Sequence, residues 1–414
     1  MGHRAVNDFN CELTHRLEAL REQNLLRRLR QADSPPAPRI KLDGRVVLNF
    51  SSNDYLGLAN HPDLKEAAVK AIAQFGAGAG ASRLLSGSLA PFHELEQMLA
   101  DFKGTEAALT FSNGYATALG SIGALMGKGD VVILDKLAHA CIVDGARLCG
   151  ATLRVFAHND LEDLEEKLKW AAQHAIAEGG RRKGRILVIT ESIFSMDGDA
   201  APLREIVRLK ERYGAWLMLD EAHATGVAGP DGRGLASQPG IAGRIEIQMG
   251  TLGKALGASG GFICGSRPLI ELLVNRARSF IFSTAPVPAA AAAAAAGIRL
   301  AKSQTGARLR TILSERVAQC RTAMAAIPVM ANAGHGLTMP EPAGAILPVI
   351  LGGEGRTIEA AAKLMKRNIF VPAIRYPTVA RGAARLRLTL TAAHTREDVS
   401  QIAAALAGGV NPST

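Results

Sequence analysis

Short, mostly apolar runs alternate with helical stretches across the middle of the sequence. The runs are "AALTF" (107–111), "VVIL" (131–134), "LRVF" (153–156), "RILVIT" (185–190), "AWLMLD" (215–220) and "IEIQM" (245–249). Runs that lack polar alternation and are separated by helices are typical of parallel strands buried on both faces. The sequence therefore predicts an α/β fold with a large, mostly parallel, doubly wound domain.

The flanking regions have a different character. Residues at helical spacing predict an opening amphipathic helix, namely Leu13, Leu17, Leu20 and Asn24, followed by Leu26 and Leu29. "RVVLNFSSNDYLG" predicts a strand that leads into a turn, while "AILPVIL", "NIFVPAIRYPTV" and "RLRLTL" predict strands of a smaller α+β domain near the C-terminus. We expect an N-terminal helix and strand arm over 1–62, the large domain over 63–302 and the small domain over 303–414.

Composition narrows the classes of partner. The net charge of +10 favours anionic ligands, but the basic residues are dispersed and aromatics make up only 4% of the chain, which argues against nucleic acid. Five scattered cysteines indicate a reducing compartment and neither disulfides nor a metal site. The N-terminus is too charged for a signal peptide, and "APVPAAAAAAAAGI" predicts a buried helix. We expect a cytoplasmic protein that binds phosphate-bearing small molecules or an acidic carrier, with no membrane contact.

Polar residues of chemical interest follow nearly every predicted strand. They are Ser112 to Tyr115 after "AALTF", Asp135 and His139 after "VVIL", Glu191 and Ser195 after "RILVIT", Asp220 and His223 after "AWLML", and Thr251 and Lys254 after "IEIQM". Because the carboxyl ends of parallel strands share one edge of the sheet, where ligands of open α/β folds bind, these side chains are expected to converge.

Taken singly, each feature also has a purely structural interpretation. "FSNGY" could be a simple link, His139 a half-buried imidazole, and Asp220 a cap for the next turn. "GAGAGAS" (76–82) resembles a dinucleotide fingerprint but follows no strand of a βαβ unit, so a flexible turn suits it better. Lys254 stands among small residues in "TLGKALGASGG", although a buried lysine is costly.

Taken together, these residues describe a site for an aromatic aldehyde phosphate. A lysine can form an imine with the aldehyde, and a carboxylate can pair with a pyridinium nitrogen that serves as an electron sink. Backbone amides at a helix N-terminus can hold the phosphate, and an imidazole can stack on the ring. Pyridoxal 5'-phosphate meets all four demands.

Several motifs resemble the α-oxoamine synthase family of fold-type I pyridoxal-phosphate enzymes. They are "FSSNDYLGL", "FAHND", "ESIFSMDGD", "DEAHATGV", "TLGKALGASGG", "FSTAPVP" and "RLRLTLTAAH", in the family's order from about Arg27 to His394. "AHNDLEDLE", "SMDGDAAPL" and "PTVARGAARLRLTLTAAH" are most similar to the member that condenses L-alanine with a pimeloyl thioester in biotin biosynthesis. The resemblance implies a homodimer with shared active sites and a donor carried on coenzyme A or acyl carrier protein.

The resemblance also implies catalytic roles at the cofactor ring. Lys254 would hold the cofactor and carry the proton at the substrate α-carbon, and Asp220 would pair with the ring nitrogen. His223 would bond the phenolic oxygen, and His139 would stack on the ring.

Further residues would surround the cofactor and the substrates. The amides of Gly114 and Tyr115, with Thr251, would bind the phosphate, Thr284 would reach the partner subunit's phosphate, and Ser195 would lie beside the phenolic edge. The expected cofactor-binding set is Ser112, Gly114, Tyr115, His139, Glu191, Ser195, Asp220, His223, Thr251, Lys254 and Thr284. The expected substrate-binding set is Asn53 and Arg387 for the amino-acid carboxylate and Arg27 for the acyl donor.

The strand pattern supports Arg387 independently. In "RLRLTL", leucines alternate with Arg385, Arg387 and Thr389, so one face packs while the other offers a guanidinium, which pairs well with a carboxylate. For Arg385 we favour a solvated edge strand. Arg27 in "LLRRLR" is equally consistent with the solvated face of the first helix.

Alternative functions remain open at this point. Glycine C-acetyltransferase, 5-aminolevulinate synthase and serine palmitoyltransferase share the cofactor residues, so only the segments around Arg27, 76–88 and Tyr376 would separate them. An aminotransferase on the same fold would need no thioester. A nucleotide-binding protein using "GAGAGAS" would leave Lys254, Asp220 and His223 unexplained.

Overall fold

A computed structural model describes residues 2–175, 184–326 and 343–409. The chain divides into two compact units. The large unit consists of Asn53–Ser314 and Pro340–Ala345, and the small unit consists of Met1–Ser52, Glu315–Met339 and Ile346–Thr414.

The described secondary structure alternates between helices and strands over most of its length. The helices are α1 (Gly2–Glu22), α2 (Pro62–Phe75), α3 (Ala90–Lys103), α4 (Gly114–Leu125), α5 (Ala140–Leu148), α6 (Leu161–His174), α7 (Leu203–Arg212), α8 (Arg267–Arg276), α9 (Arg278–Ile281), α10 (Pro288–Lys302), α11 (Gln304–Ala325), α12 (Glu354–Lys366) and α13 (Arg396–Gly409). The strands are β1 (Arg39–Leu42), β2 (Arg45–Asn49), β3 (Ala107–Phe111), β4 (Val131–Asp135), β5 (Thr152–Phe156), β6 (Ile186–Glu191), β7 (Trp216–Asp220), β8 (Ile247–Thr251), β9 (Gly261–Gly265), β10 (Ile346–Gly352), β11 (Ile369–Phe370), β12 (Ala373–Ile374) and β13 (Ala384–Thr389).

The large unit is built on a seven-stranded sheet of order β3-β9-β8-β7-β6-β4-β5. Strands β4 to β8 pair in parallel, which confirms the mostly parallel sheet. The prediction missed β9, which lies antiparallel between β3 and β8. Its short "GFICG" sequence begins and ends with glycine, so the apolar run is only three residues long.

Helices cover both faces of this sheet, because successive residues of each strand point to opposite sides. On β4, Val131 and Ile133 pack in one hydrophobic cluster with Leu164 of α6. Val132 and Leu134 pack in another cluster on the opposite face. This two-sided burial explains why the strands appear in the sequence as continuous apolar runs.

Two further expectations concern segments outside the strands. "GAGAGAS" follows the end of α2 and forms no helix or strand, as expected of a turn, with Gly76 (φ 83°) and Gly80 (φ 70°) in the left-handed region. The alanine-rich segment forms α10, in which Ala294, Ala295 and Ala296 are buried. Within the described residues, no helix is long and apolar enough to cross a membrane.

The small unit contains two three-stranded sheets of order β1-β2-β11 and β10-β13-β12. Helix α1 ends at Glu22, and Asn24 follows with a left-handed φ of 58°. The predicted helix is therefore too long, because Leu26 and Leu29 lie beyond it. Arg27 likewise lies outside the helix, which rules out its interpretation as part of the solvated helix face.

The interpretation of Arg385 as part of a solvated edge strand is wrong. Strand β13 is the central strand of its sheet, flanked by β10 and β12, and every residue from Ala384 to Thr389 is buried. Arg385 is only 5% exposed, and its Nε donates to the carbonyl oxygen of Ala383 at 3.0 Å. A pattern that alternates arginine with leucine indicated one buried face, whereas here both faces are covered.

Candidate active site

The carboxyl ends of the central strands bring the predicted site residues of the large unit to one edge of the sheet. Glu191 ends β6 directly opposite Asp220, which ends β7. Gly261 begins β9 between Phe111, the end of β3, and Thr251, the end of β8. The edge therefore collects acidic side chains at its centre and a helix N-terminus on one side.

Lys254 lies in a hydrogen-bonded chain with two buried residues. Its Nζ is 2.8 Å from Nε2 of His223, and Nδ1 of His223 is 2.5 Å from the hydroxyl of Tyr55. The Tyr55 hydroxyl also donates to Oδ1 of Asn53 at 3.3 Å. The chain thus joins the predicted cofactor lysine to Asn53, a predicted substrate residue.

Two buried carboxylates face this amine. Burial raises the pKa of Asp220. The charge of Lys254 and a hydrogen bond from the backbone N–H of Ala222 partly offset this increase. Burial raises the pKa of Glu191 well above its usual range, and repulsion from Asp220 adds to this effect. Burial therefore disfavours the ionised form of both carboxyl groups, and the positive charge of Lys254 only partly offsets this effect.

His139 caps the N-terminus of α5. Its Nδ1 accepts from the backbone N–H of Cys141 at 3.3 Å. Displacement of water by the surrounding protein lowers the pKa of the imidazole, and the charge of Lys254 lowers it further, while Asp220 opposes both effects. A largely neutral imidazole is suited to packing against a flat aromatic ring.

The N-terminus of α4 has the N–H groups that a cradle for an anion would use. Oδ1 of Asn113 accepts from the N–H of Ala116 at 2.8 Å, and the earlier N–H groups, those of Gly114 and Tyr115, have no acceptor within an α-helix. A side chain at Gly261 would lie 2.8 Å from the nitrogen of Gly114. Glycine at 261 is therefore required for this close approach of the strand to the cradle.

Four further predicted residues also belong to the large unit. The Thr251 hydroxyl donates to the carbonyl of Gly260 at 3.0 Å, and Ser112 is exposed in the loop before α4. Ser195 is buried, and its backbone N–H helps to hold the Glu191 carboxyl. Thr284 is exposed and forms an isolated bridge with Ser82.

Two predicted substrate residues belong to the small unit. Arg387 is buried on β13, where its Nη1 donates to the hydroxyl of Thr389 at 3.0 Å. Arg27 is exposed, and its Nη2 donates to the carbonyl of Tyr376 at 3.1 Å. Their proposed roles with substrate remain predictions.

Sequence reasoning missed two parts of the surroundings. Tyr55 lies within the motif "FSSNDYLGL", yet nothing in that motif indicates that it bonds to a histidine 168 positions later. Lys103 forms a fully buried ion pair with Glu221, the residue after Asp220. The Glu221 carboxylate also accepts from the N–H of Ala236 at 2.9 Å, so this pair anchors the segment that carries Asp220.

The edge has the features that a cationic aromatic phosphate requires. A protonated ring nitrogen would compensate the buried Asp220, and the α4 cradle would accept the phosphate. Oε1 of Glu191 is buried and has no hydrogen-bond partner among the described residues. A bound ligand could therefore form a hydrogen bond with this atom. A primary amine stands beside these groups, as covalent chemistry with an aldehyde needs.

Comparison with known proteins agrees with this chemistry. The family described as aminotransferase class I and II matches residues 45–406. An 8-amino-7-oxononanoate synthase of Geotalea daltonii is 46% identical over 391 residues, which cover 94% of this chain and 95% of the relative. The Geobacter sulfurreducens enzyme of the same name is also 46% identical, covering 94% and 96%. A solved serine palmitoyltransferase from S. paucimobilis with PLP and myriocin bound is 30% identical, with a TM-score of 0.84 and 96% of each chain covered.

Proposed function

Because this chain belongs to the class I and II aminotransferase family, and within it to the α-oxoamine synthases, we propose that it condenses L-alanine with a pimeloyl thioester in biotin biosynthesis. The products are 8-amino-7-oxononanoate, CO2 and the free carrier thiol. The observation that carries this proposal is the convergence of Lys254, His223 and Asp220 on one sheet edge, in a chain 46% identical to curated synthases of this reaction.

Pyridoxal 5'-phosphate is the cofactor, and when bound it supplies an electron sink for negative charge at the substrate α-carbon. Lys254 would hold it covalently through its amine, and once the amine of alanine has replaced that bond, the freed Lys254 amine would remove and return the proton at that carbon. Asp220 keeps the ring nitrogen protonated, because a cation at that point relieves the burial cost of its carboxylate. His139 packs against the ring.

The remaining predicted residues hold the ends of the cofactor and the substrates. The amides of Gly114 and Tyr115, with Thr251, bind the phosphate, while Ser195 and His223 lie at the phenolic edge. Ser112 and Glu191 complete the surroundings within this subunit. In the homodimer that we propose, Thr284 reaches the phosphate in the partner subunit.

Substrate recognition requires side chains that bind the carboxylates of the two substrates. Asn53 and Arg387 hold the carboxylate of alanine, since a guanidinium matches a carboxylate with two parallel hydrogen bonds. Arg27 holds the distal carboxylate of the pimeloyl chain. The carrier is coenzyme A or acyl carrier protein, and the scattered reduced cysteines support a cytoplasmic enzyme.

A substrate panel tests this function. Purified protein receives alanine, glycine or serine with pimeloyl, acetyl, succinyl or palmitoyl thioesters, and CO2 and thiol release are measured. We expect turnover with alanine and the pimeloyl donor, and a loss of at least about a thousand-fold in Lys254→Ala. Parallel coenzyme A and acyl carrier protein arms identify the carrier. Turnover with glycine alone, or a fully active Lys254→Ala protein, would refute the proposal.

A further inference from the structure

We propose that His394 is a positioning residue that holds together the two chain segments that carry the binding groups for the amino-acid carboxylate. The inference rests on the proposed function, because Asn53 and Arg387 are the residues proposed to bind that carboxylate. It concerns the last residue of the motif "RLRLTLTAAH", a buried histidine to which the proposed function assigns no role.

Both nitrogens of the His394 imidazole form hydrogen bonds, and the residue is only 2% exposed. Nδ1 lies 3.0 Å from the backbone nitrogen of Thr391, and Nε2 lies 3.0 Å from the carbonyl oxygen of Asn49. A backbone N–H only donates and a carbonyl oxygen only accepts. The hydroxyl of Thr391, 2.9 Å from Nδ1, is able to donate to it as well. The neutral ring therefore accepts at Nδ1 and carries its proton at Nε2.

Protonation of His394 would break this arrangement, because it would place an N–H at Nδ1 against the N–H of Thr391. Burial lowers the pKa of His394, and the charge of Arg39 lowers it further. The backbone hydrogen bonds of the ring and the charge of Asp398 oppose this shift. Since the pKa lies below the ordinary value of about 6.5, the ring is neutral at pH 7.

The ring also packs where three strands of the small unit end. It stacks on Phe50, with the ring centroids 4.6 Å apart and the planes 8° from parallel. The Phe50 carbonyl accepts from the N–H of Thr389, the end of β13, at 2.9 Å. The Phe50 N–H donates to the carbonyl of Phe370, the end of β11, at 2.9 Å. His394 thus covers the residue through which the end of β2 is bonded to both other strands.

The two hydrogen bonds of His394 lead directly to the proposed substrate residues. Asn53 lies four positions after Asn49, the residue bonded at Nε2. Arg387 lies four positions before Thr391, the residue bonded at Nδ1. An apolar side chain could fill the same space, but it would supply neither bond. The imidazole therefore connects the segment that leads into Asn53 with the strand that carries Arg387.

His394→Phe deletes both hydrogen bonds and keeps a ring to stack on Phe50. L-alanine is titrated into the cofactor-loaded full-length protein, and the change in cofactor absorbance gives its Kd without any acyl donor. We expect alanine to bind about tenfold more weakly in this variant. The KM for the pimeloyl thioester should stay within about twofold of wild type, because Arg27 is proposed to hold that donor. His394→Gln, whose amide can still donate to the Asn49 carbonyl, should lose only about threefold in alanine affinity.

His61→Phe is the matched control. Nδ1 of His61 likewise accepts a backbone N–H, that of Asp63 at 3.3 Å, but it does so at the start of α2 in the large unit. We expect alanine to bind this variant as it binds wild type. Equal weakening in His61→Phe and His394→Phe would overturn the proposal. So would wild-type alanine binding in His394→Phe, or an equal loss for alanine and the pimeloyl donor in that variant.

The tautomer of His394 provides a test that does not depend on the folding of His394→Phe. It is measured by ¹⁵N NMR of histidine-labelled full-length wild-type protein at pH 7, with His394→Gln to assign the signals. We expect a proton at Nε2 and none at Nδ1, and a proton at Nδ1 would overturn the proposal. Neither this measurement nor the alanine titration uses an acyl donor, so failure of the substrate panel would be recognised separately.

Discussion

Two clusters of the large unit place a histidine near paired carboxylates, with opposite electrostatic outcomes. In the first cluster, His158 lies between Asp135 and Asp199, at 3.0 Å from Oδ1 of Asp135 and 2.8 Å from Oδ2 of Asp199. These two carboxylates raise the pKa of His158 to about 10 despite its partial burial. The cluster therefore carries its own compensating cation at neutral pH.

In the second cluster, at the proposed active site, the balance is different. Glu191 and Asp220 are deeply buried, and burial raises the pKa of both carboxyl groups. His139 is of no help as a cation, since its own pKa is lowered. Among the described interactions, the positive charge that acts on both carboxyl groups is that of Lys254. The comparison indicates that the His158 cluster stabilises the fold, whereas burial disfavours the ionised carboxyl groups of the active-site cluster, a cost that a bound cationic ring would offset for Asp220.

Asp220→Asn should produce the largest effect of the three substitutions, and that effect should be on the turnover rate. We expect turnover with alanine and pimeloyl thioester to fall by about a hundred-fold or more, because the ring nitrogen loses the partner that keeps it protonated. The free energy of unfolding should not decrease, since the substitution removes a buried and poorly compensated charge. Turnover, cofactor absorbance and denaturant unfolding are the measurements. Near-normal turnover, or a large loss of stability, would contradict the contrast between the clusters.

His158→Gln should have the reverse profile. Removing the cation leaves Asp135 and Asp199 facing each other, and we expect a loss of about 2 kcal/mol in the free energy of unfolding at pH 6. The folded pKa of about 10 exceeds the usual 6.5, so this stabilisation is complete below about pH 6.5 and is lost as pH rises towards 10. The difference from wild type should shrink over that interval.

Chemical denaturation at pH 6, 8 and 10 measures this effect. His174→Gln is the control, because His174 is exposed. Its described contacts are a hydrogen bond with the Trp170 carbonyl and stacking on the Trp170 ring. The control should change the free energy of unfolding by less than about 0.5 kcal/mol at each pH. A His158→Gln loss that grew with pH would show that the imidazole is not the compensating cation.

The contrast also shows what could be predicted from the sequence. The parallel strands were predictable because burial on both faces produces apolar runs, and Asp220, His223 and Lys254 because each follows such a run. Strand β9 was not predictable, because the glycines at its two ends leave an apolar run of only three residues.

Pairings between distant residues were not predictable either. Strand periodicity shows which residues share a face but not what covers that face, so Arg385 was misplaced. "FAHND" supported the family resemblance, yet the sequence did not show that His158 lies between Asp135 and Asp199, which are 23 positions before it and 41 after it. Charge compensation depends on such tertiary contacts.

Glu191→Gln should have the smallest effect and tests whether burial disfavours the ionised form of this carboxyl group. Burial and repulsion from Asp220 raise the pKa of Glu191 well above its usual range, so the ionised form is disfavoured, and the amide is a neutral replacement of similar shape. An acid whose folded pKa is raised loses stability as pH rises above its unfolded value, about 4.3, and the amide does not. We expect unfolding free energies within about 1 kcal/mol of wild type at pH 5, with the difference moving in favour of the variant by pH 8. Exposed Glu162, substituted in the same way, should show no such trend. A loss of more than about 2 kcal/mol in Glu191→Gln at pH 8 would mean that Glu191 is ionised and paired, and the two clusters would then be alike.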